Sequence, residues 1–260
     1  MHGEDFKSAS IGGKMPRPCI FVPKPSPELS YILGVLDGDG YVRIKGKHYL
    51  IGLQSIDYEF VEEFNNALIK VFGKNRPYSI FKEKRDPPRK PIYRVEGICK
   101  KFVKWYLRTP REDRWSLAKK YPKKYLRGIY DSEGSVTVQE CHSSNAPILN
   151  CRIDLSNTDL VLLSFVQKLL VEQGYRPKMY KVYDGIGFTK FPEGLFLRRK
   201  AEYVLRILRR GDVMRFVDDI GFTVKRRQER LRRYVMLYKK YGAGIKAIIE
   251  WRKMRDESNQ

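Results

Sequence analysis

Apolar and polar positions along the chain switch between two periods, and they do so twice. From Leu29 to Leu36 nearly every residue is apolar, with Ser26-Pro27-Glu28 before the run and Gly38-Asp39-Gly40 after it. A serine cap with proline in the first turn starts a helix, and the glycines stop it. From Tyr41 the period falls to two: Val42 and Ile44 point one way, and Tyr41, Arg43, Lys45 and Lys47 the other. That alternation predicts a strand with one buried face. A second strand ends near Gln54. Asp57 then opens a helix whose apolar stripe is Phe60, Phe64, Leu68 and Phe72. Short strands over about 78–84 and 91–97 and a helix near 99–108 complete the series.

The series then repeats. Gly34 matches Gly128, Asp37 matches Asp131, Asp39 matches Glu133 and Gly40 matches Gly134, all at a separation of 94. Four matches in one register mark an internal repeat. Leu53-Gln54-Ser55-Ile56-Asp57 pairs with Leu155-Ser156-Asn157-Thr158-Asp159 at 102, so the second copy carries eight extra residues. The polar stretch Cys141–Pro147 accommodates them as a hairpin loop. Val136 and Val138 alternate with Ser135, Thr137 and Gln139, and Leu160, Leu163, Phe165, Leu169 and Leu170 make the next helix stripe. Strands over 177–183 and 194–198 and a helix over 200–210 are expected to close the second copy.

The expected fold is α+β: two pseudo-symmetric αββαββα units over 27–112 and 113–212. A flexible, proline-rich arm covers 1–26, and a basic helical extension covers 213–260. In each sheet one face lies under helices. The other is rich in Arg, Lys, Tyr, Gln and Ser.

Composition narrows the function. With 260 residues, 42% of them hydrophobic, the chain can fill one or two cores. No apolar run approaches the ~18 residues of a membrane span, and the N-terminal residues lack the basic-then-apolar form of a secretory signal. Fifty-two Lys and Arg against 30 Asp and Glu leave a net charge of +22. Such an excess repels itself unless a polyanion offsets it, which points to nucleic acid. Residues 223–240 alone hold eight basic residues against Glu229. They suit flanking phosphates or RNA. Cys19, Cys99, Cys141 and Cys151 show no CxxC spacing, and His2, His48 and His142 build no ligand set with them. Free thiols and an intracellular location are expected.

The segments Ile32–Gly40 and Leu126–Gly134 resemble the two motifs of the LAGLIDADG homing endonucleases, and the resemblance covers about residues 27–210. It implies a monomer whose two motif helices pair on a central axis, letting Gly34 and Gly128 bring the backbones close, with the sheets as a saddle on double-stranded DNA. Asp39 and Glu133 would then converge, and crowded carboxylates call for a cation. Hard oxygen donors select Mg²⁺; Mn²⁺ can substitute, and Ca²⁺ is expected to bind without cleavage. In the family the peptide oxygens beside the acids, here of Gly38 and Ser132, also ligate metal. Asp37 and Asp131 are read as structural groups that help end the helices. A basic residue at the start of each unit's last helix would be Lys100 and Lys200, with Lys101 and Arg199 as alternates.

Bases would be read from the open sheet faces by Tyr41, Arg43, Lys45, Lys47 and Gln54, and by Ser135, Thr137, Gln139, Asn150, Arg152 and Asp154. Lys82, Arg94, Lys178 and Arg198 join them from the later strands. The implied activity is site-specific cleavage of both strands of a long asymmetric target, leaving 3′ overhangs and promoting mobility of the encoding intron. The alternative is an intron RNA maturase or a non-cleaving DNA-binding regulator.

Overall fold

The computed structural model describes residues 19–142, 146–191, 194–198 and 200–257. Its first unit runs α1 (Pro27–Leu36), β1 (Tyr41–Lys45), β2 (His48–Ser55), α2 (Tyr58–Phe72), β3 (Ile80–Glu83), β4 (Ile92–Ile98) and α3 (Lys100–Arg108). Helix α4 (Arg111–Ala118) leads to the second unit: α5 (Pro122–Glu133), β5 (Gly134–His142), β6 (Pro147–Asn157), α6 (Leu160–Glu172), β7 (Lys178–Tyr183), β8 (Gly187–Phe191), β9 (Gly194–Arg198), β10 (Glu202–Ile207) and α7 (Arg210–Asp219). Helices α8 (Lys225–Tyr241) and α9 (Ile245–Glu257) follow. The two four-stranded sheets are antiparallel and share one topology, β1-β2-β4-β3 and β5-β6-β10-β7.

The Ser26 hydroxyl accepts from Leu29 N–H at 3.0 Å, so α1 begins at the expected cap. Helix α1 is buried from Leu29 to Leu36, and α5 is buried over Tyr125, Leu126 and Gly128 to Ser132. Together they form the centre of one continuous core that also takes Phe60, Phe64 and Phe72 from α2 and Leu162, Leu163 and Leu169 from α6.

The second unit departs from the expected order. Residues 194–198 do not join the main sheet; β9 pairs with β8 in a separate hairpin inserted between β7 and β10. Residues 202–207, expected within a helix, form β10, and the closing helix begins only at Arg210. The period-two positions Tyr203, Leu205 and Ile207 carry the signal for that strand, which is bonded on both edges, to β6 and β7. Helix α7 also straddles the expected boundary at 212.

Residues 19–26 do not form a loose arm. Ile20 N–H donates to Phe72 O at 3.0 Å, and the Phe21 ring lies 5.0 Å from Phe102 and 5.2 Å from Trp105. This docking carries Cys19 to Cys99, the residue capping α3, and the two form a disulfide with their Cα atoms 5.5 Å apart. The expectation of four free thiols is thereby corrected: Cys141 and Cys151 are free. The cause is tertiary, since nothing in the spacing of two cysteines 80 residues apart announces the pair. Residues 1–18 of the expected arm, Ser143–Asn145 of the expected hairpin loop and the alternate Arg199 lie outside the described residues.

Candidate active site and nucleic-acid interface

The two motif helices meet backbone to backbone. A Cβ placed on Gly34 would run into Tyr125 O and stand 3.0 Å from Ile129 N; one placed on Gly128 would run into Tyr31 O and stand 3.0 Å from Val35 N. The two sets of partners are again separated by 94, so the seam obeys a two-fold to the residue. The aspartates Asp37 and Asp131 complete it from opposite sides. Tyr125 OH donates to Asp37 Oδ2 at 2.7 Å, and Tyr31 OH donates to Asp131 Oδ2 at 3.1 Å. Asp37 also accepts from Trp115 Nε1 at 2.8 Å, and Asp131 from Thr223 N–H at 2.7 Å. Each aspartate therefore fastens its helix end to the other unit.

Just beyond these anchors the seam brings the motif acids together. A side chain on Gly38 would collide with Ser132 and come within 3.3 Å of Glu133 Cγ. Asp39 is exposed and Glu133 half-buried at the lip of the seam. Partial burial raises the Asp39 carboxyl, with the Arg227 guanidinium pulling it back. Burial first, then the charge of Asp39, pushes Glu133 up to about 7, and Arg227 again opposes the shift. The charge of Asp39 thus opposes ionisation of Glu133, while Arg227 favours it at both acids.

No cluster of three or more His, Cys, Asp and Glu is found among the described residues. Two converging carboxylates and nearby peptide oxygens still suit a hard dication such as Mg²⁺, which keeps several waters and completes its shell with substrate phosphates.

The two sequence-expected lysines occupy different settings. Lys100 does open α3, but its Nζ lies 5.4 Å above the Tyr49 ring. Lys200 precedes β10 in a bend rather than starting a helix, which corrects its expected position. Arg227 from α8 acts on both acids, and its Nη1 donates to Tyr130 O at 3.0 Å and Asp131 O at 2.6 Å. Sequence reading missed it because its helix reads as an undivided run of positive charge.

Strand register shows which side chains share the open faces. In the first sheet Tyr41 and Arg43 alternate with helix-facing Val42, and Gln54 stands opposite Arg94. Lys45 continues the open row, while Lys47 lies in the β1–β2 turn. Lys82 is paired with Tyr93, its Nζ 5.9 Å from that ring, so its parity is that of the helix side and the expectation for it is corrected. Glu96, not anticipated, sits in the open row: it accepts from Tyr41 OH at 2.6 Å and pairs with Arg43. These contacts hold the Glu96 carboxyl below its usual range despite the opposing effect of burial.

In the second sheet Ser135 stands opposite Asp154, Thr137 opposite Arg152 and Gln139 opposite Asn150. Lys178 aligns with Arg206, which aligns with Asp154. Asp154 is buried and is taken up by Arg206 through bonds of 2.7 and 3.1 Å, with Arg152 Nε 3.1 Å away. It therefore orients two arginines. Arg206 is a further open-face cation that the expected helix had hidden. Arg198 lies on β9 opposite Gly187, off the main sheet.

A family model described as a LAGLIDADG-like domain matches residues 26–109 and 120–221. An uncharacterised protein of Methanocaldococcus jannaschii is 34% identical over 211 residues, which span 80% of this chain and 72% of that protein. Among solved structures, I-DmoI in complex with DNA and Ca is similar at a TM-score of 0.49 and 16% identity, covering 79% of this chain and 97% of that one. Full-length DUF199/WhiA from Thermatoga maritima is similar at a TM-score of 0.46 and 18% identity, covering 91% and 69%. The two matched segments take in both motif helices, both sheets and the seam between them, and the chain belongs to the LAGLIDADG-like domain family.

Proposed function

We propose that this protein is a site-specific, divalent-metal-dependent DNA endonuclease that hydrolyses one phosphodiester in each strand of a long asymmetric target. The cuts leave 3′ overhangs, and their repair promotes copying of the intron that encodes the protein. The observation that carries this reading is the convergence of Asp39 and Glu133 at one end of the α1–α5 seam. β1 and β5 leave the seam directly after these acids, so both open faces radiate from the site of chemistry.

Asp39 and Glu133, together with the peptide oxygens of Gly38 and Ser132, would hold a dication, Mg²⁺ by donor chemistry, which would supply Lewis acidity at the scissile phosphate and an activated water. Asp39 serves the cut on one strand and Glu133 the cut on the other. Tyr41, Arg43, Lys45, Gln54 and Arg94 contact one half of the target. Ser135, Thr137, Gln139, Asn150, Arg152, Lys178 and Arg206 contact the other. Because the two rows differ at nearly every position, the half-sites differ in sequence.

The test is capture of cut ends from a randomised DNA library with Mg²⁺, with Ca²⁺, and with the variants Asp39→Asn and Glu133→Gln. Discrete double-strand cuts that require Mg²⁺ and both acids support the endonuclease. A second reading, a DNA-binding regulator without cleavage, is favoured by Arg227, which already supplies a cation to the acids. Tight DNA binding without cutting under any dication selects it, and folded intron RNA is then the next substrate to try.

A further inference from the structure

Helix α8 begins beyond the family-matched segment, which ends at 221, yet its first turn is built into the centre of the molecule. Thr223 N–H donates to Asp131 of the second motif helix at 2.7 Å. Arg226 then reaches the first unit, donating from Nε and Nη2 to the Asp57 carboxylate at the start of α2 at 2.8 and 2.9 Å. Lys225 N–H donates to Glu59 at 2.7 Å beside it.

Helix α4, which follows the first unit, does the same in the opposite sense. Trp115 donates to Asp37 of the first motif helix, while Arg111 bonds Asp159 at the start of α6 at 2.6 Å. Asp57 and Asp159 are repeat counterparts. So each unit is followed by a helix that anchors its own motif aspartate and clasps the cap residue of the other unit.

One side chain breaks this reciprocity. The residue after Arg111 is Glu112, which is exposed, whereas the residue after Arg226 is Arg227, which turns inward. Its two bonds end on carbonyls in the last turn of the helix that carries Glu133. A cation there complements the helix dipole, and the neighbouring Arg226–Asp57 clasp fixes its approach. We propose that Arg227 is the resident counter-cation of the acid pair: a positioning residue that holds Asp39 and Glu133 together and, by repulsion, sets how strongly the pair takes a dication. The inference rests on reading the pair as a metal centre, which the proposed function also uses. The guanidinium is seated on the Asp131 carbonyl, two residues before Glu133, and its charge favours the ionised form of both acids.

The experiment is Mn²⁺ titration of the full chain without DNA, followed by electron paramagnetic resonance. It compares the native protein with Arg227→Met, Arg227→Gln and Arg227→Lys. Gln keeps a donor for the Tyr130 and Asp131 carbonyls and lacks the charge, so it separates electrostatics from folding; circular dichroism checks each variant. Removing a unit charge several ångströms from a dication is worth about a 5- to 10-fold change in affinity. Met and Gln are expected to bind Mn²⁺ tighter by that factor, and Lys to stay within about twofold of native. Equal or weaker binding by folded Arg227→Gln overturns the proposal, as does a failure of Asp39→Asn with Glu133→Gln to abolish Mn²⁺ binding. Tighter Mn²⁺ binding in a protein that cuts no DNA defeats the endonuclease and leaves this inference standing. DNA cutting with unchanged Mn²⁺ affinity does the reverse.

Discussion

The seam between α1 and α5 and the open faces of the two sheets follow opposite rules. At the seam every element has its mate: Gly34 with Gly128, Tyr31 with Tyr125, Asp37 with Asp131. On the sheets the symmetry survives in the strand order and vanishes in the side chains. Glu96 ties Arg43 and Tyr41 in one, while Asp154 ties Arg206 and Arg152 in the other. The difference has a physical source. Backbones in contact leave no room for an added methyl group on either helix, so both copies are held to the same residues. A solvent-facing row carries no such restriction, and its two halves are free to diverge.

Breaking the seam should cost most. Gly34→Val and Gly128→Val each force backbone apart, at about 3 kcal/mol or more. That corresponds to a fall of about 6–12 °C in melting temperature by calorimetry. The two losses should agree closely; a large difference between them would break the two-fold.

The second-sheet cluster comes next. Arg206→Ala leaves the buried Asp154 carboxylate short of its paired donors, a loss of about 2 kcal/mol in chemical denaturation. A pH effect of similar size should appear at the acids. Because burial and Asp39 raise Glu133 to about 7, a proton competes for the Glu133 carboxyl increasingly as pH falls below that value. Mg²⁺-dependent cleavage is therefore expected to drop about tenfold per pH unit below 7 at limiting metal, and to level off above it. A flat profile between pH 5.5 and 7.5 would contradict this.

Tyr31→Phe and Tyr125→Phe each remove one bond to the opposite aspartate, about 1 kcal/mol apiece by denaturant unfolding. The smallest effect belongs to the first sheet. Glu96→Gln should change stability by less than about 0.5 kcal/mol, because its pair with Arg43 is solvated. Fluorescence anisotropy with labelled DNA should nevertheless show tighter binding in that variant, since Arg43 is released toward phosphate.

The same contrast explains what the sequence made legible. Four residues at a constant separation located both motif helices and, with them, Asp39 and Glu133. Alternation then identified the strands that leave them and assigned Tyr41, Arg43, Ser135 and Thr137 to the open side. Harder to see was anything decided by tertiary partners. Residues 202–207 carry only a short alternation at Tyr203, Leu205 and Ile207 amid charged side chains, and pairing with β6 and β7 on both edges makes it decisive. Lys82 and Arg94 look alike in sequence, and register alone puts Lys82 on the helix side. Arg226 and Arg227 are adjacent cations on one helix, yet one clasps Asp57 and the other bonds the Tyr130 and Asp131 carbonyls at the end of α5. Cys19 meets Cys99 because Phe21 is drawn into an aromatic cluster.

In the proposed mechanism one seam places two acids so that each serves one strand. Its most direct test is a strand-resolved cleavage assay on the captured target, each strand labelled at a different end, with Asp39→Asn and Glu133→Gln in Mg²⁺. Each variant is expected to slow one strand by about 10³-fold or more and to accumulate product nicked on the other, with opposite strands affected by the two variants. Native cutting of both strands by either variant would contradict the claim.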